Sequence, residues 1–404
     1  MLFASIVIIV DWRIKWLFWI GILLMFCRRL NLPFVGEIEP STIVLCMTAL
    51  LLIHSVSKIL LMRYHLQLFV LAFGLLNAYM LGNQSNETWT WILSILIVFL
   101  FSAMAEIYIK SEMDLDRLSS IFIIISFIIA FTGIMAYYGF ADGVVILADN
   151  SSDSIDGDSV FSRTYGIAYN NSVLGFAPIS LIFLSGKKWP KVYKVIIFIS
   201  IIIAVLISLK RLAYLSLVFS VLYIIYRERK KIMLFPFLVA SLVIISGIYY
   251  YGNLMIARFQ NLKDVFLGEE SPDLNRTSRM ENAFHAIGQH PILGSGSGYI
   301  TFIHNGYLEM VGNLGLLALI ILIPWLGGPI KSLFTKTDLR QKDWAMGCLI
   351  YLLTVFLFEA AINRLDLMWI FALLYGGFMR SMKIYSLKKY ESIQWKKEKL
   401  ALQY

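Results

Sequence analysis

The chain has 404 residues, of which 59% are hydrophobic and only 15% charged, and its formal net charge is +9. A soluble domain carries roughly a quarter charged residues, so the composition excludes an ordinary soluble enzyme and points to a protein built for lipid. In a chain of this kind excess Lys and Arg marks cytoplasmic loops, and nucleic acid is not an expected partner.

About 20 apolar residues cross a bilayer. Along the chain such runs predict about twelve spans, near residues 3–27, 41–61, 66–82, 89–108, 119–140, 171–185, 192–209, 212–226, 232–251, 306–327, 345–361 and 367–380. The expectation is an all-α polytopic protein with one integral membrane domain over residues 1–404. Asp11 and Arg13 interrupt the first apolar run, which argues against a cleaved leader. Cys27, Cys46 and Cys348 show neither metal-ligand spacing nor a disulfide framework. No period or low-complexity tract is visible.

Basic breaks set the orientation. "GKKWPKVYK" (186–194), "RERKK" (227–231), "KSLFTKTDLRQK" (331–342) and the basic tail 381–404 alternate as cytoplasmic, so both termini are expected inside. "CRRLN" at 27–31 runs against this pattern. Two long breaks fall outside, residues 141–170 and residues 252–305.

The second loop ends in "TSRMENAFHAIGQHPILGSGSGYITFIHNGYLEMVGNLG". Ser278 and Glu281 form an S-x-x-E capping box, which predicts a short surface helix starting there. Met280, Phe284 and Ile287 share one face of it, and Gly288 and Pro291 end it. "GSGSG" at 294–298 reads as a flexible hinge. It is no dinucleotide fingerprint, because no strand precedes it. Asn305 suits the N-cap of the next helix.

Sorting polar residues by side gives the chemistry. Arg163, Lys210, Arg211, Arg258, Lys263, Arg276, Arg279 and Arg364, with His285, His290 and His304, all fall outside or at external helix ends. Lys210 and Arg211 occupy a tight external turn where the charge rule predicts neutral residues. A guanidinium held there fits a phosphate or pyrophosphate, whereas Lys210 also reads as a side chain snorkelling to headgroups. Arg276 and Arg279 flank a helix start, where a cation opposes the dipole. Arg163 sits in a polar loop beside Tyr165 and Asn170, and Arg364 with Asp366 and Glu359 reads as a local ion pair. His304 precedes a helix N-terminus, and an imidazole can accept a proton from a sugar hydroxyl near neutral pH. His285 and His290 read as ordinary loop residues, and Glu269, Glu270 and Asp273 as a solvated acidic run. No metal cluster, Walker loop or nucleophile elbow appears. The expected chemistry is free of metal and cofactor: arginines neutralise a leaving pyrophosphate while a histidine activates an acceptor.

Several of these segments together resemble the O-antigen ligase and polymerase superfamily of bacterial surface-polysaccharide assembly. That family carries a His-Asn followed nine residues later by G-x-x-G. Here His304, Asn305 and Gly315 match, and Ala318 stands in place of the last glycine. "HPILGSGSG" is similar to the family's segment before the histidine, "SLKRLAYLSLVFS" to its basic residue opening a span, and "SRTYGIAYNNSVLG" to its RxxGxxxNxN stretch. An upstream arginine of the same loop is matched by Arg276 or Arg279. The likeness spans residues 160–325.

The resemblance implies a metal-independent multispanning glycosyltransferase in the cell inner membrane, acting at its periplasmic or outer face. Its donor would be a polyprenyl-pyrophosphate-linked oligosaccharide held by Arg163, Arg211, Arg276 or Arg279. His304 would be catalytic, with Asn305 and Lys210 supporting, and membrane lipid and a chain-length regulator would be partners. A ligase passes the glycan to lipid A-core, and a polymerase passes it to the next lipid-linked repeat. The short gap between "GSGSG" and His304 favours the polymerase. A lipid-glycan flippase is the alternative of another class, but transporters place their key ions near mid-membrane.

Overall fold

The computed structural model describes residues 14–23, 30–32, 36–38, 40–83, 86–137, 175–208, 211–227, 274–301, 303, 305–335, 337–358, 362 and 365–401. The described chain is helical apart from one antiparallel ladder, β1 (Leu30–Leu32) with β2 (Gly36–Ile38), in which Asn31 faces Glu37. That ladder is a small departure from the all-α expectation.

The helices are α1 (Ile14–Leu23), α2 (Pro40–Leu51), α3 (Ile53–Arg63), α4 (His65–Met80), α5 (Asn86–Tyr108) and α6 (Glu112–Tyr137). After a 3-10 turn at Ala177–Ile179 come α7 (Ser180–Gly186), α8 (Lys191–Ser208) and α9 (Arg211–Arg227). The last five are α10 (Leu274–Gln289), α11 (Gly306–Leu314), α12 (Leu319–Phe334), α13 (Leu339–Phe358) and α14 (Leu365–Ala401). Among the described residues three helical stretches are long and apolar enough to cross a membrane: Glu87–Tyr108, Glu112–Met135 and Gly306–Phe334. A fourth is counted if α2 and α3, bent by 92° against each other, form one span. Among the described residues, helices occupy eleven of the twelve expected span positions at least in part. The run at 232–251 lies outside the described residues, and α1 covers only a part of 3–27.

Local chemistry explains the helix limits. Ser111 and Asp114 cap α6 reciprocally: Asp114 Oδ2 accepts from the Ser111 N–H at 3.1 Å, and Ser111 Oγ accepts from the Asp114 N–H at 3.2 Å. These bonds satisfy donors that a helix start leaves open. Inside the apolar helices hydroxyls fold back on their own backbone, as Ser102 on Val98, Ser126 on Phe122 and Thr354 on Ile350. Such bonds keep polar atoms tolerable where water is absent. An aromatic core ties α5, α12, α13 and α14: Trp325 meets Phe371 edge-on at 4.9 Å, and Tyr351 stacks on Phe371 at 5.5 Å.

Charge sorts the two ends of the bundle. The end of α5 and the start of α6 carry Glu106, Glu112, Asp114 and Asp116, and the basic breaks converge on them. Glu106 pairs with Arg63 at 3.0 Å and with Lys383 at 2.5 Å. Glu112 pairs with Lys388 and Arg340, Asp114 with Lys15, and Asp116 with Lys187 at 2.8 Å. Burial pulls the Lys187 ammonium below its usual range, and Asp116 opposes that pull. Arg227 closes the same end, donating to Ser185 Oγ at 3.0 Å and pairing with buried Asp343 at 3.1 Å. These contacts join residues from four breaks that the charge rule assigns to one side. α14 extends this end: its 37 residues rise roughly 55 Å at 1.5 Å each, so the basic tail is helical through Ala401.

Candidate active site at the mouth of α11

The opposite end is built around a helix break. α11 stops at Leu314, Gly315 adopts φ +60°, and a 3-10 turn, Gly315–Ala318, leads into α12. Breaking the helix frees backbone groups, and the segment 291–301 uses them. Leu316 N–H donates to Pro291 O at 2.9 Å, Ser295 N–H to Gly312 O at 2.9 Å and Gly296 N–H to Asn313 O at 3.1 Å. Ala318 has φ −53° and ψ −30°, ordinary helical values, so the alanine in place of the family's second glycine costs the backbone nothing.

The segment is a fastened strap. Gly294, Gly296 and Gly298 have φ of +70°, +93° and +78°, and Ser295 and Ser297 are fully buried. A Cβ on Gly296 would stand 2.4 Å from Ala78 Cα, and one on Gly298 2.4 Å from Thr88 Cα. Asn77 Nδ2 donates to Gly294 O at 2.9 Å, Asn83 Nδ2 to Ser295 O at 2.9 Å, and Ser297 N–H to Gly74 O at 3.1 Å. The flexible hinge expected at 294–298 is therefore corrected: these glycines serve close backbone approach at positive φ, not mobility.

α10 begins at Leu274, so Ser278 and Glu281 lie within the helix and not at its start. Ala283 and Ala286 are its buried positions, packed with Ile300, Ile303 and Leu308. Met280 and Phe284 do share a face, but it points outward, Phe284 being 56% exposed. Arg276 and Arg279 lie in the first turns of α10, with Arg279 exposed.

Asn305 is the N-cap of α11, as its residue type suggests: its backbone is extended and its Oδ1 accepts from Leu308 N–H at 3.0 Å. The helix start rests on α13. A Cβ on Gly306 would meet the Phe356 ring at 2.9 Å, and Tyr307 donates to Leu352 O at 3.1 Å. The same stretch of α13 meets two other motif segments. A Cβ on Gly175, the last residue of "SRTYGIAYNNSVLG", would lie 3.4 Å from Val355 Cγ2 and 1.7 Å from Leu212 Cδ1. Leu212 follows Arg211, the first residue of α9. Gly306 and Gly175 thus both pack on α13, at Phe356 and Val355, and Leu212 lies against Gly175. His304, Arg163 and Lys210 lie outside the described residues, as do the side chains of Arg211 and Arg276, and Arg364 and Glu359.

Residues that composition alone did not single out complete the mouth. Glu309, fully buried, accepts from Ile303 N–H at 3.1 Å. Asn313, also fully buried, accepts from Ile300 N–H and donates to Ile300 O, both at 2.8 Å. Thr301 donates to Glu87 at 2.7 Å. The available signal was the fourfold spacing of Asn305, Glu309 and Asn313 along an otherwise apolar helix.

The fold and this end of it define a helical protein of membrane type whose buried polar groups are spent on fixing one loop before one helix. Residues 195–323, from α8 to the first turn of α12, match the family model described as O-antigen ligase. That match supports the O-antigen ligase/polymerase superfamily, whose members are glycosyltransferase-like enzymes. It spans less than half of the chain and contains Arg211, Arg276, Arg279, His304 and Asn305. A comparison with curated proteins gives no match.

Proposed function

We propose that the protein polymerises lipid-linked oligosaccharide repeats, transferring the growing glycan from polyprenyl pyrophosphate to the next lipid-linked repeat. The observation that carries this reading is the fastened mouth of α11. Ile303 and Asn305, the covalent neighbours of His304, are both tied by hydrogen bonds. His304 is the base that takes the acceptor hydroxyl proton as the hydroxyl oxygen attacks the anomeric carbon and the pyrophosphate departs. Arg211, with Arg163 and Arg276 or Arg279, neutralises the departing charge, and Lys210 supports them; neither metal nor cofactor takes part. Only five residues, 299–303, separate Gly298 from His304, which favours polymerase over ligase. A deletion strain tests the choice. Core lipid capped by a single repeat supports the polymerase; unmodified core with long lipid-linked chains accumulating supports the ligase and overturns it.

In this reading the chain spans the inner membrane about twelve times, with both termini cytoplasmic and the site on the outer face. The sorting of charge between the two ends supports it. A cysteine placed at Ser271 should react with an impermeant maleimide in cells with an opened outer layer; reaction only after the inner membrane is breached reverses the orientation.

The arginines give a second expectation. Arg211→Lys should be nearly as harmful as Arg211→Ala, because an ammonium cannot supply the two-pronged guanidinium contact. Full transfer by Arg211→Ala removes it from the site. A chain-length regulator remains the partner that a polymerase calls for, and co-purification with one tests that point.

A further inference from the structure

α11 and its N-cap carry three polar side chains four residues apart, and the described bonds of all three go to backbone at or just before the helix start. Asn305 binds the Leu308 N–H, Glu309 the Ile303 N–H, and Asn313 both backbone groups of Ile300. The spacing is that of one face of a helix. Gly312, between them, admits Ile300 at close range: a Cβ there would meet Ile300 Cγ1 at 3.0 Å. Ile300, Ile303 and Asn305 are therefore fastened to α11 at three levels.

Glu309 is the unexpected member. An amide such as Asn313 is an ordinary choice for binding backbone in a buried place. A carboxylate at 0% exposure is not, because burying one is unfavourable unless its bonds are well made. Glu309 lies in the first turn of α11, where the helix dipole favours a negative group. Its partner, the Ile303 N–H, belongs to the residue immediately before His304. Ile303 and Asn305, the covalent neighbours of His304, are thereby both tied to α11.

We propose that Glu309 is a positioning residue for His304: it acts through the Ile303 backbone to hold the histidine at the mouth of α11 before substrate arrives. The inference rests on the reading of His304 as the base. Glu309 itself is buried beneath the strap and does not touch the glycan. Preorganisation of this kind affects the chemical step more than substrate binding, since displacement of a reacting group by about 1 Å can cost a hundredfold in rate.

The test uses the full-length protein in membranes of the deletion strain, whose accumulated lipid-linked repeats are the substrate. Glu309→Gln keeps an acceptor oxygen and should hold kcat within about fivefold of wild type. Glu309→Met keeps the volume but has no oxygen, and should lower kcat by roughly 10- to 100-fold while KM stays within about twofold. Hydrogen exchange at the Ile303 amide should speed up in Glu309→Met and not in Glu309→Gln. Wild-type kcat in Glu309→Met, unchanged exchange, or a loss confined to KM overturns the proposal. If Glu309→Met fails to accumulate while Glu309→Gln does not, Glu309 serves folding alone, which also overturns it. His304→Ala separates the two readings. If it retains its rate, the assignment of the base fails; if it is inactive and Glu309→Met is not, only the positioning role fails.

Discussion

His304→Ala is expected to fold and insert normally yet to lose glycan transfer by roughly a hundredfold or more, the upper part of the range for general-base catalysis. Attack by a sugar hydroxyl needs a proton acceptor on the acceptor side while charge grows on the pyrophosphate. The structural ground for expecting intact folding is specific. The cap of α11 belongs to Asn305, and the anchor before it is the Ile303–Glu309 bond. Neither uses the side chain at 304. His285→Ala, on the exposed side of α10, and His290→Ala should lose far less. The measurement is the initial rate of joining lipid-linked repeats by purified protein. A near wild-type rate in His304→Ala moves the base elsewhere, with Glu359 and Asp366 the next residues to replace.

Gly296→Ala should be among the most damaging single-methyl substitutions in the protein. Gly296 has φ +93°, and the added carbon would stand 2.4 Å from Ala78 Cα and 2.7 Å from Ala78 N. Those atoms are backbone of α4 and cannot rotate aside. A left-handed backbone costs an L-residue about 1–2 kcal/mol, and overpacking adds about 1–3 kcal/mol. The variant should unfold at lower temperature and lose transfer, because the strap must lift away from α4. Gly288→Ala is the matched control. Nothing lies within 4 Å of its added carbon, and the site is helical, so about 1 kcal/mol of gain is expected. A thermal midpoint for Gly296→Ala equal to that of wild type would show that the strap does not bear on α4.

The contrast between these glycines shows what could be read from sequence and what could not. Helix positions were legible because long apolar runs have few alternatives, and the meeting of basic breaks at one end followed from charge alone. Asn305 as N-cap was legible because its residue type and place before "GYLEMV" admit few other roles. The strap was not, since glycine is chosen both for mobility and for positive φ, and the sequence writes the two alike. The bend between α2 and α3 falls inside "LLLIHS", where neither glycine nor proline marks it. The start of α10 at Leu274 was hidden by a capping box that the helix runs through. Glu309 escaped notice because a lone carboxylate in an apolar helix names no partner until the loop is folded against it.

The two ends of the bundle also differ in the force that closes them. At the end bearing the basic breaks, many of the contacts are ion pairs between side chains with substantial exposure, such as Arg340–Glu112 and Lys388–Glu112. At the mouth of α11 the fastenings are mostly neutral amides and backbone groups: Asn77, Asn83, Asn313 and the freed groups around Gly315. Dissolved ions screen exposed charges beyond about 8 Å at 0.15 M ionic strength, but they do little to a buried amide bond. In the orientation proposed above, the end assigned to catalysis would thereby be insulated from salinity, which the cell does not regulate outside itself, while salt-sensitive contacts would lie where the cytoplasm holds ionic strength steady.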